Sequence, residues 1–134
     1  MIYFDTDVLI NILIPQDPEK HLQAKALYHT ATDNEQFFIS FLCLQETAFV
    51  LQRLGQTPDD IDAMLTSFLS YEPASYGIAE MKRGIELAKR IGFQSINDCI
   101  HLAIAETHCT ELVTYNKSDF KRLQKHTRLK IKVL

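Results

Sequence analysis

The stretch that decides the fold is Met1-Ile-Tyr-Phe-Asp5-Thr6-Asp7-Val-Leu-Ile10, at the start of the chain. Residues 2–4 are predicted to form a short buried strand that ends on Asp5, and apolar residues resume after Asp7. A carboxylate between a first strand and a helix lies where open α/β sheets bind their ligands. Asp and Thr are also common helix N-caps, so a purely structural role for Asp5 stays open at this point.

The composition is that of an ordinary globular protein. The 134 residues are 46% hydrophobic and 23% charged, so we expect a single domain over residues 1–134 with a real hydrophobic core. No apolar run approaches the roughly 20 residues that span a bilayer, and no signal peptide is visible, which favours a cytoplasmic protein that does not bind membranes. The net charge of −3 means that any nucleic-acid binding must rest on a local site. Three widely spaced cysteines without a CxxC pair argue against disulfides and against zinc.

Strands alternate with helices along the rest of the chain. Three further short strands are predicted, at residues 36–40, 111–115 and 130–134, with the last at a sheet edge. Helices are predicted over residues 8–13, 18–30, 41–54, 58–69, 78–91, a stretch that Ser95 begins, and 119–123. Gly55 and Gly92 are expected to end the helices before them. Residues 71–75 fit either a strand or a loop. This order predicts an α/β fold with a parallel sheet of four to five strands flanked by α-helices.

Glu46 is the least ordinary residue of the chain. Its helical neighbours at three and four residues on either side are Leu42, Cys43, Phe49 and Val50, so no cation stands at the spacing that pairs a helical Glu. A carboxylate among apolar neighbours is costly to bury unless something in space compensates its charge. A solvated position on a mostly apolar helix is the alternative.

Two later acids have structural alternatives of their own. In Ser95-Ile-Asn-Asp98, Asp98 fits a capping box in which Ser95 is the cap. Asp119 could simply cap the short helix that follows it. Both roles are compatible with a ligand site, because the start of a helix that follows a parallel strand faces the edge where ligands bind.

Taken together, Asp5, Glu46, Asp98 and Asp119 predict a metal site. All but Glu46 lie at or just after the carboxyl end of a predicted strand or at the start of a helix, and these ends share one edge of a parallel sheet. Glu46 could reach the same edge from within the helix that follows its strand. Converging carboxylates repel one another unless a cation neutralises them. Oxygen ligands without His or Cys suit Mg²⁺, or Mn²⁺, and such an ion can activate water for attack on a phosphodiester.

The chain resembles the PIN domain, and within it the VapC-like toxins of bacterial toxin–antitoxin pairs. The resemblance rests on four segments in order, Phe4–Ile10, Gln45-Glu46, Ser95-Ile-Asn-Asp98 with His101–Ala105, and Leu112–Phe120. It implies a Rossmann-like sheet and a Mg²⁺-dependent endoribonuclease that acts on RNA, with tRNA as the guess for the target. It also implies a homodimer that a cognate antitoxin protein inhibits.

The resemblance assigns roles to particular residues. Asp5, Glu46 and Asp98 match the acidic triad of the family, and Thr6 and Thr114 match positions that support it. Position 7 is commonly Asn in the family but is Asp7 here, which adds a negative charge. The fourth acid of some members falls where Asn116 stands, so Asp119 must supply it here, with Asn116 as a polar helper. The predicted catalytic and metal-binding residues are therefore Asp5, Glu46, Asp98 and Asp119.

Other functions fit parts of the pattern. Asp5-Thr6-Asp7 also resembles the first motif of haloacid-dehalogenase-type phosphatases, and Ser40 would fit their second motif, but Asp98 follows a polar segment where that family has a buried strand. A catalytically degenerate PIN domain that only binds proteins is the non-enzymatic alternative, and a housekeeping nuclease is the alternative to a toxin. Candidate phosphate contacts are Lys82, Arg83, Lys89, Arg90, Lys117 and Lys121, and a solvated surface charge is the alternative for each.

Overall fold

The computed structural model describes residues 1–134 and consists of four strands and seven α-helices. The strands are β1 (Ile2–Phe4), β2 (Phe37–Phe38), β3 (Glu111–Thr114) and β4 (Lys130–Val133). The helices are α1 (Thr6–Leu13), α2 (Pro18–Asp33), α3 (Phe41–Arg53), α4 (Pro58–Leu69), α5 (Ile78–Ile91), α6 (Ile96–His108) and α7 (Lys117–Leu123). Short 3₁₀ turns at Phe93–Ser95 and Gln124–His126 precede α6 and follow α7. None of the helices is both long and apolar enough to cross a membrane.

The four strands form one parallel sheet in the order β2-β1-β3-β4. Tyr3 in β1 lies opposite Phe38 on one side and Leu112 on the other. The predicted parallel sheet of four to five strands flanked by helices is confirmed, and β4 lies at the edge as expected. Because all strands run the same way, the residues after β1 and β3 meet at one edge of the sheet.

The core lies between the sheet and the helices on its faces. Tyr3, Phe4, Leu112 and Val113 from the two central strands are all fully buried. Consecutive residues of a strand point to opposite faces of the sheet, so both faces carry buried side chains here. This is expected of a parallel sheet that helices cover on both sides. The cysteines form no disulfide, and Cys43 and Cys99 are buried in the core.

Most helix boundaries follow the capping signals in the sequence. The Asp17 carboxylate caps α2 by accepting hydrogen bonds from the backbone N–H groups of the first turn, and the Thr57 hydroxyl caps α4 in the same way. Proline occupies the first position of both helices, where its missing N–H costs nothing. Gly55 and Gly92, with φ of 81° and 116°, adopt the left-handed conformation that lets the chain turn away from α3 and α5.

Several predicted elements differ from the structure in extent, most of them by a few residues at an end. The strand predicted at residues 36–40 covers only Phe37–Phe38, and beyond it Ser40 makes a single bridge to Ala74. Residues 71–75 therefore form a loop with one bridging residue. The helix predicted from Asp119 begins at Lys117 instead, because the Asn116 side chain caps it by accepting from the Asp119 N–H at 3.3 Å.

The predicted capping box at the start of α6 does not form. Ser95 stands at the N-cap, but its side chain caps no N–H group, since the 3₁₀ turn before it leads directly into α6. The carboxylate of Asp98 is instead hydrogen-bonded to Asn116. The structural alternative for Asp98 is therefore wrong.

Candidate active site

A cavity of about 300 Å³ opens at the carboxyl edge of the sheet and is called the carboxylate cavity below. The residues that line it are Asp5, Thr6, Asp7, Ile10, Asn11, Glu46, Val50, Asp98 and Asn116. Four of these nine are acidic, and they come from β1–α1, α3 and α6. The edge of a parallel sheet thus brings together side chains that are far apart in the sequence.

Asp5 is both a helix cap and part of the cavity wall. One carboxylate oxygen accepts from the N–H of Thr6 at 2.8 Å, and the other accepts from the hydroxyl of Thr114 at 2.8 Å. The residue is only 4% exposed. The position that caps α1 thus also places a fixed carboxylate in the cavity.

Asp7 is held against the loop that follows β3. Its two oxygens each lie 3.1 Å from the backbone N–H of Tyr115, and the Thr114 hydroxyl is 3.3 Å away. Burial, followed by the nearby charge of Asp5, raises the pKa of Asp7 to about 7. The extra acid at this position therefore adds to the crowding of negative charge at the site.

Glu46 has partners that come from other parts of the chain. Its Oε1 atom accepts from the Thr6 hydroxyl at 2.6 Å and lies 2.5 Å from Nε2 of His101. Its Oε2 atom accepts from the side-chain amide of Asn97 at 3.0 Å. Burial, the largest single effect, raises the pKa of Glu46, but the hydrogen bond and charge of His101, with Thr6 and Asn97, bring it below its ordinary value. Glu46 is therefore an ionised, oriented carboxylate.

His101 connects Glu46 to the core. The imidazole is 1% exposed, and its Nδ1 atom lies 2.6 Å from the hydroxyl of Tyr3, which in turn lies 2.7 Å from the hydroxyl of Ser40. Burial lowers the pKa of His101, but the neighbouring Cys43 and the carboxylate of Glu46 raise it well above the ordinary value. In the protonated imidazole both nitrogens donate, one to Tyr3 and one to Glu46.

Asp98 and Asn116 line the cavity, and Asp119 lies next to them. The Asn116 amide donates to Asp98 at 3.0 Å, and its oxygen accepts from the N–H of Asp119. Burial, then the hydrogen bond to Asp119 and the charge of Asp5, raise the pKa of Asp98 to about 8. The hydrogen bond from Asp98 lowers the pKa of Asp119. The pKa values of these two neighbouring carboxyl groups thus shift in opposite directions.

The structure does not place every predicted residue in the cavity. Asp5, Asp7, Glu46, Asp98 and Asn116 line it together with Thr6. Thr114 lies directly behind Asp5 and Asp7, to which it donates. Asp119 is not among the lining residues and meets the cavity only through Asp98 and Asn116.

A family model for the PIN domain matches residues 2–126. The chain belongs to the PIN domain family. Members of this family are generally nucleases. Membership therefore supports a hydrolase that acts on nucleic acid. A search of curated proteins found no match to the chain.

The donor set of this PIN domain suits a hard divalent cation, although the side chains do not form a ready-made site. No group of three or more His, Cys, Asp or Glu side chains is arranged to hold an ion. Each carboxylate is instead held by a neutral or cationic donor, Asp5 by Thr114, Glu46 by His101 and Asp98 by Asn116. The oxygen atoms that face the cavity are nonetheless those that Mg²⁺ prefers. Burial, and after it the nearby acids, raises the pKa values of Asp7 and Asp98, and a bound cation would favour their ionised forms.

Sequence reasoning missed three residues of this PIN domain site, His101, Asn97 and Tyr3. Asn97 and His101 both contact Glu46, and Tyr3 contacts His101. One signal was present in the sequence for His101, because it lies three residues after Asp98 and so on the same face of α6. The sequence gives no comparable sign that Tyr3 belongs to the site, since an aromatic residue in a buried strand usually serves only to pack the hydrophobic core.

Proposed function

We propose that the chain is a metal-dependent endoribonuclease that hydrolyses RNA phosphodiester bonds at the carboxylate cavity. The observation that carries the proposal is the convergence of Asp5, Asp7, Glu46 and Asp98 on one cavity at the carboxyl edge of a PIN domain sheet. Four acids that serve only as helix caps or surface charges would have no reason to share a cavity, because their mutual repulsion opposes it.

Asp5, Glu46 and Asp98 are the proposed ligands for Mg²⁺ or Mn²⁺, with Asp119 in support behind Asp98. When bound, a divalent ion would supply positive charge to the phosphate oxygens and lower the pKa of an attacking water. Asn116 holds Asp98 by a hydrogen bond at 3.0 Å, so the orientation of that carboxylate is set before any ligand arrives.

Glu46 is proposed to orient the attacking water. Its low pKa keeps it ionised at neutral pH, and an ionised carboxylate can accept a hydrogen bond from water or take its proton. Thr6, Asn97 and His101 fix the carboxylate from three directions. A fixed base avoids the entropy cost of finding the reactive geometry at each turnover.

The biochemical test compares wild-type protein with Asp5→Asn on a labelled RNA in Mg²⁺, Mn²⁺ or EDTA. Wild type should cleave with either ion and not in EDTA, and Asp5→Asn should lose at least about a hundredfold in rate because a fixed ligand is lost. Asp59→Asn, an exposed acid on α4, is the matched control and should cleave as wild type does. Cleavage by Asp5→Asn at the wild-type rate would contradict the assignment.

The finer proposal is that the protein is the toxin of a VapBC-type pair, a homodimer that a cognate antitoxin neutralises and that acts on RNA such as tRNA. Its support is the resemblance of the four sequence segments to the VapC-like toxins. Expression of the chain alone in cells should arrest growth, and Asp5→Asn should not. Growth that continues despite active nuclease in the cells would favour a housekeeping nuclease.

The two alternatives make different predictions. An interaction module should bind no Mn²⁺ in a way that depends on Asp5, as calorimetry can measure. A phosphatase should hydrolyse small phosphomonoesters. The phosphatase alternative has little structural support, because Ser40, its second-motif residue, is fully buried and hydrogen-bonded to Tyr3.

A further inference from the structure

A second and larger cavity, of about 830 Å³, lies at the opposite edge of the sheet and is called the basic cleft below. Thr110 and Leu129, which immediately precede β3 and β4, both line it, so it lies at the amino ends of these strands. The carboxylate cavity lies at the carboxyl ends. The remaining lining residues are Arg83, Glu86, Arg90, Glu106, Cys109, Lys125, His126, Thr127 and Arg128.

Arg83 organises the charges of the basic cleft. Its guanidinium lies 3.0 Å from a carboxylate oxygen of Glu86 and 3.2 Å from one of Glu106, and it donates to the backbone carbonyl of His126 at 2.7 Å. Both acids of the cleft are therefore paired with a single arginine. Planar guanidinium groups suit such multiple contacts because their donors are fixed in direction.

Three cations of the basic cleft are left without a carboxylate partner. Arg90, Lys125 and Arg128 take part in none of the ion pairs of the structure. Like charges gathered in one depression repel one another, and an anion bound among them relieves the repulsion. The cleft is thus locally positive although the whole chain carries a net charge of −3.

Backbone donors add to these charges. The N–H groups of Thr127 and Arg128, between the 3₁₀ turn and β4, donate no hydrogen bond within the chain. Free N–H groups next to cationic side chains are typical of sites that bind phosphate oxygens, which accept from both kinds of donor. Nothing in the proposed nuclease mechanism uses any of these residues.

We propose that the basic cleft is a phosphate-binding site, separate from the carboxylate cavity. The phosphate could belong to the backbone of an RNA that also reaches the carboxylate cavity, or to a free phosphorylated compound. β3 separates the two edges by about 13 Å, at roughly 3.3 Å per residue, so a folded RNA could contact both. The RNA source rests on the proposed function, and the free-phosphate source does not.

The test measures binding in EDTA, where no metal-dependent cleavage occurs. Inorganic pyrophosphate is titrated by calorimetry, and a labelled single-stranded RNA is titrated by fluorescence anisotropy at several salt concentrations. The test variant is Lys125→Ala/Arg128→Ala, which changes two exposed side chains that make no hydrogen bond or ion pair. The matched control is Lys25→Ala/Lys132→Ala, which removes the same charge from exposed positions on α2 and β4 outside the cleft.

Wild type and the control should bind pyrophosphate saturably, and the test variant should bind it at least about tenfold more weakly with an unchanged circular dichroism spectrum. If the test variant also loses RNA affinity, with a shallower dependence on salt, the phosphate comes from RNA. If RNA binding is unchanged while pyrophosphate binding falls, the ligand is a free phosphate compound. The proposal is overturned if pyrophosphate does not bind saturably, or if test and control variants lose equally. None of these results depends on cleavage, so a failure of the nuclease proposal is recognised separately.

Discussion

The Nε2 atom of His101 lies 2.5 Å from the Oε1 atom of Glu46, and this contact joins the wall of the carboxylate cavity to the core of the protein. The Glu46 side chain is 25% exposed and the His101 side chain 1%. A partly exposed carboxylate is thus anchored to a group that the core packing holds in place. The orientation of Glu46 is therefore set by the fold and does not depend on a bound ligand.

Replacement of His101 by glutamine should show whether His101 orients Glu46 for catalysis in addition to stabilising the fold. Gln can keep one polar contact but cannot bridge Glu46 and Tyr3 together, so we expect a loss of about 1–3 kcal/mol in the free energy of unfolding. RNA cleavage by the folded variant should fall by about tenfold to a hundredfold, because Glu46 becomes less well oriented. Urea denaturation and single-turnover cleavage measure the two effects. An unchanged rate in a folded variant would show that His101 is only a core residue.

Removal of the Tyr3 hydroxyl should lower the free energy of unfolding and leave the fold unchanged. Tyr3→Phe deprives His101 and Ser40 of a buried partner, at 2.6 and 2.7 Å, and should cost about 1–2 kcal/mol of stability. Tyr28→Phe is the control, because its hydroxyl is bonded only to Tyr71 at an exposed position and should cost less than about 0.5 kcal/mol. If urea denaturation shows equal losses for the two variants, the buried hydrogen bonds of Tyr3 add nothing to the stability.

The sheet could be predicted from the sequence because its signals are local. An apolar triplet at residues 2–4 that ends on Asp5, and an apolar run that ends at Thr114, each define a buried strand without reference to the rest of the chain. The same holds for Pro18, Pro58 and the two helix-ending glycines, because cap preferences act within a single turn. The strands predicted at residues 36–40, 111–115 and 130–134 are each shorter in the structure, and they differ only at their ends, where local patterns are weakest.

The contacts within the site could not be predicted in this way. Glu46 and His101 are 55 residues apart in sequence, and their contact depends on how α3 and α6 pack against the same edge. The sequence showed that Glu46 needed a partner but not which residue supplied it. At α7, Asn116 and Asp119 are both good N-caps, and local preference does not choose between them. The choice of Asn116 moves Asp119 into the first turn and out of the cavity wall.

The close packing of α5 on α6 requires a glycine at position 84. A Cβ atom there would lie 2.9 Å from Cγ1 of Ile100, so Gly84→Ala should cost about 1–3 kcal/mol of stability despite the better helix propensity of alanine. Thermal denaturation measures the loss. In Gly84→Ala/Ile100→Ala the clash is absent, so the double variant should lose less than the sum of the two single variants. Strict additivity would contradict a clash at this contact.

The metal-free protein should become less stable as pH rises from 5 to 8. The pKa of Asp98 is about 8 and that of Asp7 about 7 in the folded protein, against about 3.9 in an unfolded chain. Between these values the folded state binds protons that the unfolded state does not, so stability falls with pH. The raised pKa of His101 also makes stability fall with pH, at pH values above the pKa of an unfolded histidine, about 6.5. The lowered pKa of Glu46 stabilises the folded protein at pH values above the pKa of the unfolded chain, about 4.3. This contribution therefore changes little between pH 5 and pH 8.

Thermal denaturation in EDTA at several pH values checks this expectation, with a fall of several degrees in the midpoint between pH 5 and pH 8. Asp98→Asn should flatten the pH dependence, because an amide at this position has no proton to lose, whereas the exposed Asp59→Asn should keep the wild-type slope. Saturating Mn²⁺ should raise the midpoint most at pH 8, since an ion that binds only the folded state stabilises it and favours ionised carboxylates. A midpoint that rises with pH in EDTA, or an Asp98→Asn variant with the wild-type slope, would show that these carboxylates do not share a crowded negative site.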